Sequence, residues 1–157
     1  MSLSAGVHPQ SVLAPDLADR LRQRLASSPA LQWLQPKLME LEPDRCVLGL
    51  TYRPELTNGS GTVHGGVLAT LADTAVAFAL STNFDGKMGF ATADMTIHYL
   101  HRARTDLEAR ARIVKKGRRA NVGEVDIVDV DGRSVARAVT TFLLTTSSFD
   151  YLPGGAR

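Results

Sequence analysis

A chain of 157 residues is long enough to bury a real core and most simply folds as one domain. Its hydrophobic share of 44%, charged share of 22% and formal net charge of +2 are those of an ordinary soluble globular domain, and so small a charge does not argue for nucleic acid. One cysteine excludes an internal disulfide and cannot build a metal site alone, which fits a reducing cytoplasm.

Residues 1–14 lack the basic start and continuous apolar core of a signal peptide, and no stretch is long and apolar enough to span a bilayer; the opening reads as a flexible tail. From Pro15 to Ser27, Leu17, Leu21 and Leu25 recur at helical spacing, Pro15 suits a first turn, and Asp16 with Arg20 is an i,i+4 pair. This predicts a short amphipathic helix whose Arg20, Arg22 and Arg24 form a solvated face sooner than a membrane contact. Pro29 closes it, and residues 30–35 add a turn. Lys37 to Glu42 and Arg45 to Arg53 read as two strands joined at Pro43-Asp44, the second alternating Cys46, Leu48, Leu50 and Tyr52 against Val47, Gly49, Thr51 and Arg53. Cys46 then faces the core as an inert small hydrophobe.

Next comes the run from Asn58 to Asp73. Its first half is a loop in which Gly59, Gly61, Gly65 and Gly66 free the backbone to approach a ligand closely. Its second half opens a helix. From Gly65 to Phe84 the only ionisable side chain is Asp73, and apolar residues surround the axis, which predicts burial on most sides. A carboxylate there is either structural and hydrogen-bonded, the commoner case for a lone Asp, or a base or nucleophile whose pKa burial pushes up. The helix start before it leaves backbone N–H groups unsatisfied, and such donors suit an oxyanion developing on a carbonyl.

Asp85-Gly86-Lys87 is a turn and Gly89 to His101 a long strand. Leu107, Ala109, Ala111 and Ile113 alternate with Asp106, Glu108, Arg110 and Arg112, the clearest half-buried strand of the chain. Gly117 turns the chain, Asn121 to Val130 is a further strand, Asp131-Gly132 is a two-residue hairpin signal, and Ser134 to Thr145 is the last strand. Connections this short cannot carry crossover helices, so the expected α+β fold is a curled antiparallel sheet of five or six strands around one central helix. The domain runs over residues 15–147, with a frayed tail at 148–157.

Asn58, the triplet His64-Gly65-Gly66 and Asp73 resemble, in order and spacing, the signature of hotdog-fold acyl-CoA thioesterases of the phenylacetate-pathway (PaaI) type. The segment from Thr92 to Leu100 is similar to the strand after that family's central helix, and Val130 to Ala136 to its last hairpin, so the likeness covers roughly residues 37–146. The resemblance implies an acyl-CoA substrate and hydrolysis of its thioester to free acid and CoA, without a separate cofactor. It further implies a homodimer joined through its sheets, often paired into a dimer of dimers, with the active site across the interface. In that reading the Gly65 N–H polarises the carbonyl, and Asp73 either attacks it or deprotonates a water. Asn58 and His64 orient the thioester beside Gly65 in one subunit, while Thr92 joins Asp73 from the partner.

CoA brings phosphates, for which Arg102, Arg104, Lys115, Lys116, Arg118 and Arg119 are candidates, Arg102, Lys116, Arg118 and Arg119 foremost; most such residues are solvated turn charges. No aromatics interleave with them, against nucleic-acid binding. His98 and His101 point to opposite faces of a strand, against a metal pair, and Gly59-Ser60-Gly61 lacks the strand-turn-helix of a serine hydrolase elbow. The acyl pocket draws on Trp33, Leu34, Leu38, Tyr52 and Phe78. Two alternatives stand beside hydrolysis: a hotdog dehydratase or hydratase with His64 as proton carrier, and a non-catalytic acyl-CoA binder.

Overall fold

The computed structural model describes residues 12–85 and 89–145. Most of the tail expected over 1–14, all of that over 148–157, and Gly86 and Lys87 of the expected turn lie outside the described residues.

Leu17, Leu21 and Leu25 recur every fourth residue and all three are buried, which forms α1 (Leu17–Ser27). Asp16 and Arg20 make the expected ion pair at 3.0 Å. The turn expected over residues 30–35 is a second helix, α2 (Pro29–Leu34), opened by Pro29, whose missing N–H would have had no helical partner there. Arg53 caps its far end, donating to the carbonyls of Trp33 (2.6 Å) and Leu34 (3.3 Å).

Strands β1 (Lys37–Glu42) and β2 (Arg45–Leu50) meet at Asp44, which takes a φ of 63° that Asp tolerates better than most residues. Asp44 also ties this hairpin to two distant segments. Its N–H donates to Thr82 Oγ1 (2.9 Å), and its carboxylate accepts from Asn83 Nδ2 and Lys116 Nζ, both at 2.7 Å. β2 ends at Leu50, not at Arg53, because the Tyr52 N–H turns to Asp106 Oδ1 and a 3₁₀ turn starts at Pro54.

The central helix α3 (Gly65–Ser81) is followed by β3 (Phe90–Tyr99), β4 (Leu107–Lys115), β5 (Ala120–Asp129) and β6 (Ser134–Leu144). The six strands form one antiparallel sheet in the order β1-β2-β4-β5-β6-β3, curled over α3, which packs chiefly against β4, β2 and β5. α3 stops at Ser81 rather than Phe84, where Ser81 and Thr82 turn their hydroxyls back onto helix carbonyls. β3 is shorter than expected at both ends, and beyond Tyr99 the N–H groups of Leu100 and His101 converge on one carbonyl, that of Val135.

The last hairpin differs from the two-residue form. Only Gly132 has positive φ (76°), the Asp129 N–H donates to the Arg133 carbonyl while the Asp129 carbonyl accepts from the Gly132 N–H, and Asp129 Oδ1 accepts from the N–H groups of Asp131 and Arg133. This is a three-residue loop with glycine in the left-handed position; a two-residue type I′ turn would need positive φ at Asp131 as well.

Inner-face side chains Cys46, Leu48, Ala109, Ala111, Val125, Ile127 and Ala138 meet Leu71, Ala72, Ala75, Val76 and Ala79 of α3 in one core. The closest approach is at Gly123, where a Cβ would stand 2.3 Å from Val76 Cγ1. Gly123→Ala is therefore expected to cost about 1–3 kcal/mol of stability by overpacking. Urea unfolding should show Val76→Ala in the same chain recovering part of that loss. Full stability of Gly123→Ala alone would refute the contact.

Candidate active site

The loop before α3 is internally braced. Asn58 Oδ1 accepts from the N–H groups of Ser60 (3.0 Å) and Thr62 (3.3 Å) and from Ser60 Oγ (2.7 Å), an Asx-type turn. Gly61 takes a φ of 69°, and its carbonyl accepts from Tyr52 Oη at 2.9 Å. The Ser60 carbonyl accepts from Arg104 at 3.3 Å. Backbone bonds from Val63 to Ala103 and from His64 to Leu56, both 2.8 Å, fasten the loop to its surroundings. With its oxygen occupied, Asn58 presents its Nδ2 donor from an exposed position.

His64 is the N-cap of α3. Its Nδ1 accepts from the Gly66 N–H at 2.9 Å, which requires that nitrogen unprotonated and leaves Nε2 as the donor of the neutral ring. Gly65 is the first helical residue, and its own N–H has no acceptor among the described residues. The Gly65 carbonyl accepts from Tyr99 Oη at 3.0 Å.

Asp73 lies two turns further on, half-buried on the face of α3 that the described residues leave open, with exposed Gly66 and Thr70 and half-buried Ala69 and Ala77. The helix is thus buried on most sides, as its apolar composition implied, with Asp73 on the side that is not. Thr92 Oγ1 donates to Asp73 Oδ1 at 2.9 Å. Desolvation raises the Asp73 pKa above the ordinary carboxylate range, partly opposed by this hydrogen bond.

Thr92 reaches the helix because of a bulge. The register of β3 against β6 shifts between Thr92 and Asp94, so Thr92 pairs with buried Phe142 while Asp94 pairs with Thr141. A regular strand would have placed Thr92 and Asp94 on the same face.

The residues thus fall into two groups within one chain: Asn58, His64 and Gly65 at the start of α3, and Asp73 with Thr92. The helix rise alone separates Gly65 from Asp73 by about 12 Å. The expected basic cluster also divides. Lys116 is held in the ion pair with Asp44 at 2.7 Å. Arg118 and Arg119 are exposed in the β4–β5 turn, where the Leu144 N–H bonds to the Arg119 carbonyl and Leu144 pairs with Phe90, two residues before Thr92. Arg102, also exposed, lies at the opposite end of the sheet beside Ala103 and the His64 loop.

Of the side chains expected to line an acyl pocket, Leu34 and Phe78 are core residues, Leu38 and Tyr52 are half-buried, and Trp33 is 53% exposed. Burial pushes the Cys46 thiol up to about 12, so it is no nucleophile. Tyr99 was not anticipated as part of this region. Nothing in its local sequence marks it, because its partner stands 34 residues away.

The raised pKa of Asp73 has a consequence for stability. A carboxylate whose pKa rises on folding stabilises the protein below its ordinary value of about 3.9 and loses that contribution as pH climbs through the raised value. Asp73→Asn should therefore melt higher than the wild type at pH 7, with the gap narrowing toward pH 4. Thermal melts across that range check it, and a variant less stable at neutral pH would contradict it.

A family model described as a domain of unknown function (DUF4442) matches residues 22–144. The chain is 32% identical over 101 residues to the acyl-coenzyme A thioesterase PaaI of Escherichia coli K12, covering 63% of this chain and 70% of that one. It is 30% identical over 103 residues to acyl-coenzyme A thioesterase 13 of Homo sapiens, covering 64% and 73%. Among solved structures, that of the E. coli PaaI protein from the phenylacetic acid degradation operon superposes with a TM-score of 0.78 at 21% identity, over 87% of this chain and 99% of that one, a likeness of fold. The chain belongs to the matched family and, with it, to the PaaI-like branch of the hotdog-fold thioesterase superfamily.

Proposed function

We propose that this protein hydrolyses the thioester of an acyl- or aryl-acyl-CoA to the free acid and CoA, in a site that two copies build together. The observation that carries the reading is the Asp73–Thr92 pair. Asp73 is the only ionisable side chain of α3, desolvation raises its pKa, and Thr92 orients one oxygen while leaving the other for a water or a carbonyl carbon.

The free edge of the sheet supports assembly of the two groups. Among the described residues β3 pairs only with β6, and most of its ten residues are exposed. Thr92 marks one end of that edge and Tyr99, on the Gly65 carbonyl, the other, about 23 Å apart at strand rise. Antiparallel pairing of two such edges about Met95 and Thr96 sets Thr92 of one copy beside Tyr99 of the other. Asp73 of one subunit then faces the helix start of its partner.

In this site the Gly65 N–H, at the positive end of α3, stabilises the oxygen of the attacked carbonyl. Asn58 Nδ2 and the His64 Nε2–H orient the thioester. Asp73 acts as general base or nucleophile. As base it takes the proton of the attacking water and returns it to the departing CoA sulfur, so no separate cofactor enters the balance. Arg102 by the His64 loop and Arg118 and Arg119 near Thr92 are placed to meet CoA phosphates, and Lys116 would first have to leave Asp44. The same reading takes residues 15–147 as the domain, the homodimer as half of a tetramer, and the cytoplasm as its compartment.

A dehydratase using His64 as proton carrier fits less well, because the ring nitrogen that would accept a proton already caps the helix. A non-catalytic binder leaves the desolvated carboxylate without a use.

Release of thiol from a panel of acyl-CoAs tests the reading. Wild type should turn over at least one member, and Asp73→Asn and Asp73→Ala should lose about 10²–10⁴-fold with fold and assembly intact. Turnover that survives both changes would remove Asp73 from the mechanism. Binding without turnover by the wild type would favour the binder.

A further inference from the structure

The peptide joining Gly65 to Gly66 is held from both sides. Its N–H donates to His64 Nδ1 at 2.9 Å, and its carbonyl accepts from Tyr99 Oη at 3.0 Å. The Tyr99 ring also lies directly on Gly65, where a Cβ would meet Cζ at 3.1 Å and Cε1 and Oη at 3.3 Å. A side chain at Gly65 would displace the Tyr99 ring by a few tenths of an ångström, and as glycine its backbone torsions are the freest of any residue type. Something other than its own side chain must hold this peptide.

Burial does not account for Tyr99. It is the last residue of the edge strand β3 and, within one chain, stays 54% exposed, outside the core. What it supplies is a directed hydrogen bond from the edge strand to the first carbonyl of α3. Rotation about the Gly65 Cα–C bond would swing that carbonyl away from Tyr99 and the Gly66 N–H away from His64. The Gly65 N–H belongs to the preceding peptide, whose His64 carbonyl accepts from the N–H groups of Val67 (2.9 Å) and Leu68 (3.1 Å); with the peptides on both sides of Gly65 held, the direction of its N–H is set before any substrate arrives.

We infer that Tyr99 is a positioning residue for thioester hydrolysis, locking the Gly65–Gly66 peptide so that the Gly65 N–H points at the developing oxyanion. The inference rests on the hydrolase reading above. A donor of this kind lowers the barrier only insofar as it needs no reorganisation when charge develops. Loosening it weakens transition-state binding more than ground-state binding, so the loss falls on kcat. Tyr99 also lies on the same edge strand as Thr92, so one strand aligns both halves of the composite site.

Tyr99→Phe, which keeps the ring over Gly65 and removes only the hydroxyl, tests this against Tyr99→Ala and the wild type on the best acyl-CoA of the panel. Loss of one hydrogen bond predicts that Tyr99→Phe lowers kcat about five- to tenfold while KM moves by less than about twofold. Its melting temperature and oligomeric state should stay those of the wild type, and Tyr99→Ala should fall further in kcat. Wild-type kcat in Tyr99→Phe, a change confined to KM, or a loss that tracks melting temperature or assembly would each overturn the role. An active wild type with an unaffected Tyr99→Phe refutes only this inference; a wild type that releases no thiol from any substrate refutes the hydrolase reading and this role with it.

Discussion

A helix can lie against a sheet as closely as α3 does only where a strand offers no side chain, and Gly123 of β5 is that place, with Val76 of α3 seated on it. This contact lets the helix sit close to β5 while it packs against β2 and β4 beside it. Leu71, Ala72, Ala75 and Ala79 turn toward the sheet, and the opposite face, with Asp73 and Ala77, is left half-covered near β3. The N-terminus of the helix is carried in turn to the braced loop of residues 58–64. Both ends of the proposed chemistry therefore depend on the packing of one helix against the sheet, which has no chemical role of its own.

Around this scaffold the polar groups divide into those that hold the fold and those left with capacity for a ligand. Asp44 belongs to the first kind: it joins the β1–β2 turn, the end of α3 and Lys116 into one knot. Arg53 closes α2, and Tyr52 and Arg104 fasten the loop beside Asn58. The second kind comprises the Asn58 amide, the His64 Nε2, the Gly65 N–H and one oxygen of Asp73. Ordinary folding would cover or pair such groups, and a half-desolvated carboxylate in particular costs stability at neutral pH. Their survival on an open helix face and an open strand edge supports the proposal that a second copy completes the site.

Much of the architecture was legible along the chain. Periodicity is a relation between near neighbours, so the leucine stripe of α1, the alternation in β2 and β4 and the apolar helix around Asp73 could be read directly, and the order of Asn58, His64-Gly65-Gly66 and Asp73 pointed to the family. Departures came where neighbours do not decide. Strand ends moved because the N–H groups of Tyr52 and His101 donate to distant residues, and the last hairpin took a three-residue loop in which the Asp129 N–H reaches the Arg133 carbonyl and only Gly132 has positive φ.

The site shows the same division. Its residue types and their sequence order are local facts, and they named Asp73, Gly65, Asn58, His64 and Thr92 together. Which of them touch was decided by strand register: a one-residue bulge turns Thr92 toward Asp73, and the far end of the same strand lays Tyr99 on Gly65. The separation of phosphate candidates to opposite ends of the sheet, and the capture of Lys116 by Asp44, follow from the same cause. A side chain's face follows from its near neighbours, but its partner is chosen by how segments dozens of residues apart align, and that alignment is a property of the packed sheet and helix as a whole.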